Sequence, residues 1–266
     1  MEETNVTTKE ELENASEEKG LSIWMAILDK ALKLPGVKIN REEYLQKELL
    51  RFYTEKEIDL ILEKGIKKSC IDIKKLDTIA NAAINYHTTI ATGLSVLAGI
   101  PGGVAVLATI PTDLTQFYAQ MLMVAQKLSF IYGWGNNYTT DPNEEFKYQM
   151  TLFIGAMSGA KASSEAIKVM AREFAKQVEK RLPQVALTKY AFYNVAKQVA
   201  KWLGINLTKK GFAKGVAKII PYVSGLISGV LTVATFKPMA KRLQKVLKDT
   251  DLIKSNETEV VFNRKK

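Results

Sequence analysis

The sequence predicts an all-α fold, a multi-helix bundle with glycine-rich apolar helical hairpins. Three observations predict it. Apolar residues recur every three or four positions through most of the chain, the spacing that gathers them on one helix face. Cap-forming residues stand at the boundaries of these stretches, where a helix leaves its first N–H groups unpaired. No stretch alternates apolar and polar residues as a half-buried strand does.

Taken in order, residues 1–20 are rich in Glu, Thr and Asn and read as a disordered acidic tail. Amphipathic helices are expected over residues 21–66. The first begins at Ser22, carries Trp24, Ile27, Leu28, Ala31 and Leu32 on one side, and stops at Pro35-Gly36. Asn40 with Glu43, and Thr54 with Glu57, have the capping-box spacing and open short helices over about 41–53 and 55–64. Asp72 caps a longer one, with Ile73, Leu76, Ala80, Ala83, Ile84, His87, Ile90, Ala91 and Leu94 at helical intervals. It runs into Thr88–Thr112, which holds no charged residue and is broken by Pro101-Gly102-Gly103. A helix over 112–132 follows, ended by Gly133. Asp141-Pro142 with Glu144 and Glu145 starts the next in the order cap, proline, acids. Further stripes run through Ile167, Met170, Ala171, Phe174 and Val178, ended by Pro183, and through Tyr190, Val195, Val199, Trp202 and Leu203, ended by Gly204. Residues 219–236 are again uncharged, and Pro238 is expected to precede a basic final helix. Residues 251–266 read as a polar tail.

Neither uncharged run suits a membrane crossing. Pro101-Gly102-Gly103 leaves two arms of about a dozen residues, and at 1.5 Å per residue neither reaches across a hydrocarbon core about 30 Å thick. The second run has lysines on both sides, so a single crossing would place one cluster outside. Helical hairpins buried in the protein or dipped into one leaflet fit both. Small residues four apart support close backbone packing there: Ser95, Gly99 and Gly103; Gly155 and Gly159; Gly211 and Gly215; Gly225 and Gly229.

Charge is divided unevenly. Residues 1–160 hold 16 Lys and Arg against 21 Asp and Glu, whereas 161–266 hold 22 against 7. The basic half is expected to meet an anionic membrane surface through Lys209, Lys210, Lys214, Lys218, Lys237, Lys241, Arg242 and Lys245, with Trp202, Phe212, Tyr222 and Phe236 at the interface. The cations are spread over several helices without a nucleic-acid-binding motif, so nucleic acid is not an expected partner. The single cysteine, Cys70, permits no internal disulfide and suits a cytoplasmic location. The first residues lack the pattern of a secretory signal.

Catalytic signatures are absent. There is no P-loop, GxSxG, HExxH or Glu-x-x-His motif, so no enzyme activity, metal or cofactor is expected. His87, the only histidine, falls on an apolar stripe and reads as a core residue. Asp113, Gln116 and Gln120 line one side of the 112–132 helix, and with His87 they form a possible polar or ligand site; Asp113 reads first as an early-turn acid meeting the helix dipole, and alternatively as a partner of His87 on a neighbouring helix. Two further readings stay open: a soluble bundle holding an apolar ligand among His87, Asp113, Phe117 and Met121, and a helical enzyme of unrecognised type.

Ala91-Thr-Gly-Leu-Ser, Gly99-Ile-Pro-Gly-Gly, Ile110-Pro-Thr-Asp-Leu, Gln126-Lys-Leu and Ile131-Tyr-Gly-Trp134 together resemble the signature region of the bacterial EcsC family. The resemblance extends over about 67–250, the stretch read as one helical domain. It implies a non-enzymatic accessory protein peripheral to the cytoplasmic face of the membrane, with ABC transporter components as partners. It offers no catalytic residues to transfer.

Overall fold

A computed structural model describes residues 9–69, 71–97, 112–134, 144–179, 191–207, 229–250 and 252–253. Among these the chain is all-α, without strands: α1 (Lys9–Leu32), α2 (Arg41–Leu49), α3 (Glu55–Lys64), α4 (Ile73–Leu97), α5 (Thr112–Ile131), α6 (Glu144–Met157), α7 (Lys161–Glu179), α8 (Ala191–Leu207) and α9 (Gly229–Lys248). Cys70, the Pro101 bend, Gly99, Gly103, Gly211, Gly215, Gly225, Lys209, Lys210, Phe212, Lys214, Lys218 and Tyr222 lie outside the described residues, as do the side chains of Ser95 and Asp113. No described helix is long and apolar enough to cross a membrane.

Local signals set most boundaries. Asn40 accepts from the backbone N–H groups of Glu42 and Glu43 at 2.9 and 3.2 Å and opens α2, which ends at Leu49, sooner than its pattern suggests. The Glu57 carboxylate reaches back to the Thr54 N–H at 2.7 Å and opens α3, and Asp72 receives the Lys74 N–H at 2.8 Å at the head of α4. Helices α5 and α6 both end in a Schellman turn. Trp134 N bonds Ser129 O and Gly133 N bonds Phe130 O; Ala160 N bonds Gly155 O and Gly159 N bonds Ala156 O. Gly133 and Gly159 take the left-handed conformation this turn requires, at φ 87° and 92°. Gly159 is therefore a turn residue and not the close-packing one its spacing suggests.

Helix α5 is the hub, touching α1, α2, α4, α6 and α9. It is buried at Tyr118, Met121, Leu122, Ala125 and Leu128, and burial continues round the helix at Val124, Phe130 and Ile131. A T-shaped pair of Trp24 and Tyr118, at 5.1 Å, joins α1 to α5, and Trp24 Nε1 donates to Thr151 Oγ1 of α6 at 2.9 Å. Helix α6 is buried from Gln149 through Met157. A Cβ on Gly155 would strike Ser163 Oγ and come within 2.5 Å of Val199 Cγ1, so this glycine does allow α7 and α8 to approach closely.

Several expectations are corrected. Residues 9–20 are helical, and α1 begins well before Ser22. Tertiary docking overrides the polar composition there: Gly20 is buried against α8, where a Cβ would lie 2.7 Å from Lys201 O and 2.8 Å from Ile205 Cγ1. Glu17 pairs with Lys201 at 2.6 Å beside this crossing. Gly204 does not end α8. It lies within the helix, and a Cβ there would collide with the Gly20 carbonyl, so the two glycines are a matched pair across the α1–α8 interface.

Pro238 lies inside α9, not before it. A proline there leaves the carbonyl four residues back without its N–H partner, and both Ala234 and Pro238 are exposed, so water can serve that carbonyl. The second uncharged run therefore does not fold back over residues 229–236, which continue straight into the basic helix. The chain beyond α9 is not wholly a polar tail, because Leu252 is buried and its carbonyl lies beside Gly133, where a Cβ would meet it at 3.3 Å.

Candidate functional site

The loop between α1 and α2 forms one wall of a pocket, and Gln126 of α5 fixes that loop. Its Nε2 donates to Val37 O at 2.7 Å, and its Oε1 accepts from Ile39 N at 3.3 Å. Arg41, buried at the head of α2, donates to Trp134 O at 3.1 Å and ties the same region to the end of α5. Behind the loop lies a cavity of about 540 Å³ between α2, α4 and α5, within the range of small-molecule sites. Tyr44, Tyr86, His87, Gln120, Met123 and Lys127 are central to its lining.

His87 is 1% exposed. Its Nδ1 lies 2.8 Å from Gln120 Oε1. An amide oxygen only accepts, so Nδ1 carries the proton and Nε2 is left as an acceptor, one that has no partner among the described residues. Burial, helped by the Lys127 charge and opposed by the Gln120 bond, holds the imidazole down to about 4. The ring is therefore neutral at pH 7.

Lys127 reaches between two aromatic rings, with its Nζ 5.3 Å from the centre of Tyr44 and 5.2 Å from that of Tyr86, a cation–π arrangement. Burial draws its ammonium below the ordinary lysine range, with Glu48 acting upward and Lys47 downward. The nearby carboxylates are engaged elsewhere: Glu48 pairs with Arg51 at 3.2 Å, and Glu43 accepts from Asn40 Nδ2 at 3.1 Å. Burial also pushes the Tyr44 phenol well above its usual range, with Glu48 adding to the effect.

The structure thus brings two of the predicted polar residues together, His87 and Gln120, while the side chain of Asp113, the alternative partner for His87, lies outside the described residues. Gln116 stands one turn earlier on α5 and is half-buried, outside the lining. Phe117 and Met121 do not line this pocket either. Phe117 stacks edge-on against Phe236 at 5.8 Å, and Met121 is fully buried in the core. Tyr44, Tyr86 and Lys127 escaped the sequence reading. Tyr86 offered the one available signal, an aromatic beside His87 that proves 57% exposed.

The predicted anionic-surface residues that are described lie mainly on α9. Lys237, Lys241, Arg242 and Lys245 are exposed, and the helix contains no acid. Phe236 is not at this surface: it is fully buried on the opposite side of α9, with Met239, Ala240, Leu243 and Leu247. Trp202 is half-buried against the core instead of projecting outward. Several of the cations are positioned by neighbours. Arg242 donates to Met157 O at 3.1 Å. Lys241 bonds Asn81 Oδ1 and, at 2.9 Å, Gln244 Oε1.

A second polar cluster joins α4, α9 and the end of α5. Tyr132 donates to Asp77 Oδ1 at 2.7 Å and accepts from Gln244 Nε2 at 3.0 Å. Lys248 closes on Asp77 Oδ2 at 2.5 Å. Among the described residues no three His, Cys, Asp or Glu side chains converge as metal ligands would. Comparison of the chain with protein-family models, curated proteins and solved structures gave no significant match.

Proposed function

We propose that this chain is a non-enzymatic, EcsC-like accessory protein that docks peripherally on an anionic membrane surface at the cytoplasmic face, in the service of a membrane transport system such as an ABC transporter. The observation that carries the reading is α9, a 20-residue helix with one face buried in the bundle, cations along the other and no acid of its own. Because Lys241 and Arg242 are held by neighbouring groups, little side-chain order would be lost on meeting a surface. Each such cation contributes about 1 kcal/mol near anionic headgroups.

The test is flotation with vesicles of phosphatidylglycerol and of phosphatidylcholine. The protein is expected to float with the anionic vesicles alone and to be released by salt, since screening shortens the reach of surface charge. Replacing Lys237→Gln, Arg242→Gln and Lys245→Gln together should weaken binding by about 3 kcal/mol, on the order of a hundredfold. Flotation unchanged in a variant with wild-type helicity would dispose of the proposal.

A further inference from the structure

The cavity beside Lys127 has no part in that membrane reading, and its chemistry specifies a ligand. Its wall supplies three cations, Lys38, Lys47 and Lys127, against one acid, Glu43. The Glu43 carboxylate is already bonded to Asn40, and Glu48, the other acid acting on Lys127, is held by Arg51. The Lys127 ammonium is thus enclosed by two tyrosine rings with neither carboxylate at ion-pair distance. Rings attract the cation without neutralising it, and a partly desolvated charge favours an anion beside it more than an exposed one does. Ile39, Ile90 and Met123, with the faces of Tyr44 and Tyr86, make the apolar part of the wall, beside the polar Asn40 and Gln120. His87 adds a neutral ring and no competing charge.

We propose that this pocket binds an amphipathic carboxylate, its head paired with Lys127 between Tyr44 and Tyr86 and its apolar body lying along Ile90 and Met123. An uncharged apolar compound would leave Lys127 without a counterion. A second negative charge on the ligand would meet Glu43 in the wall.

His87 makes the test direct, because the chain has no other histidine and a histidine-labelled sample reports this wall without assignment. Decanoate, titrated into labelled protein below its micelle concentration, should shift the His87 ring resonances saturably. Lys127→Met should weaken that binding by about tenfold or more, the loss expected of a charge-assisted hydrogen bond. It should leave the weaker binding of decanol unchanged. The proposal is overturned if decanoate binds without moving His87, if it fails to bind, if decanol binds equally well, or if Lys127→Met binds decanoate like the wild type. The membrane reading is separable: the α9 triple variant should retain decanoate binding, and Lys127→Met should still float with phosphatidylglycerol vesicles.

Discussion

Helices α4 and α5 take part in two polar clusters built from similar parts, and the two are finished differently. In one, Tyr132, Asp77, Asn81, Gln244, Lys241 and Lys248 satisfy one another across three elements. In the other, among the described residues, His87 has a partner on one nitrogen only, the Tyr44 hydroxyl has none, and Lys127 has aromatic rings in place of a carboxylate. Buried polar groups are costly unless paired. A closed network therefore serves the fold, while an open one at the wall of a cavity is a place for a ligand. Burial acts on both, raising the Tyr132 phenol in the first, with the Asp77 carboxylate adding to the rise and the Gln244 bond opposing it, and lowering Lys127 and His87 in the second.

The largest effect that separates the two clusters should come from acid. His87 is held down to about 4 in the fold, below the value of about 6.5 for an unfolded chain. The unfolded state thus takes up the proton first. The contribution of the neutral ring is complete above about pH 6.5 and declines as pH falls towards 4, a loss of about 3 kcal/mol. Lys127 is the charge acting on His87, and it remains protonated across this window, so the loss belongs to His87. Carboxylates that titrate over the same range cancel when wild type is compared with His87→Gln. Urea unfolding at pH 7 and pH 4 should show the variant losing about 3 kcal/mol less than the wild type. Equal losses would mean that the fold accommodates the charged ring and that the pocket is wetter than the structure has it.

A smaller effect tests the closed cluster. Tyr132→Phe removes one hydroxyl and takes one hydrogen bond from the Gln244 amide and one from the Asp77 carboxylate, which should lower stability by about 1–2 kcal/mol in urea. No change would show that solvent already serves Asp77. The smallest effect is expected in the open cluster, and its sign is the informative part. Lys127→Met keeps the stem packed between the rings and removes a partly desolvated charge, so stability should stay within about 0.5 kcal/mol of wild type or rise. A loss comparable to that of Tyr132→Phe would mean that Lys127 is as structural as the residues around Tyr132, and the contrast would collapse.

What could be read from the sequence follows the range of each interaction. Asn40, Thr54 and Asp72 were legible because a cap acts on residues two or three positions away. The stripe from Trp24 to Leu32 was legible because helical spacing alone defines its face. The start of α1 was not, since residues 9–20 are ordered through contacts with α8, far along the chain. Gly204 and Pro238 were misread for a related reason: each breaks a local preference that tertiary packing or solvent access makes tolerable. The pocket was half legible. His87 stood out as a polar residue on an apolar stripe, and Gln120 as a member of the polar side of its helix. Tyr44, Tyr86 and Lys127 come from three helices, and no spacing in the chain links them.

The meeting of Gly20 with Gly204 has a consequence for how the molecule is made. The two ends of that contact leave the ribosome 184 residues apart, so Gly20 emerges long before its partner, whereas Trp24 on the same helix can meet Tyr118 as soon as α5 is made. At 5–20 residues per second the wait is roughly ten to forty seconds. Throughout it the side of α1 around Glu17 and Gly20 lacks the α8 residues that cover it in the finished bundle.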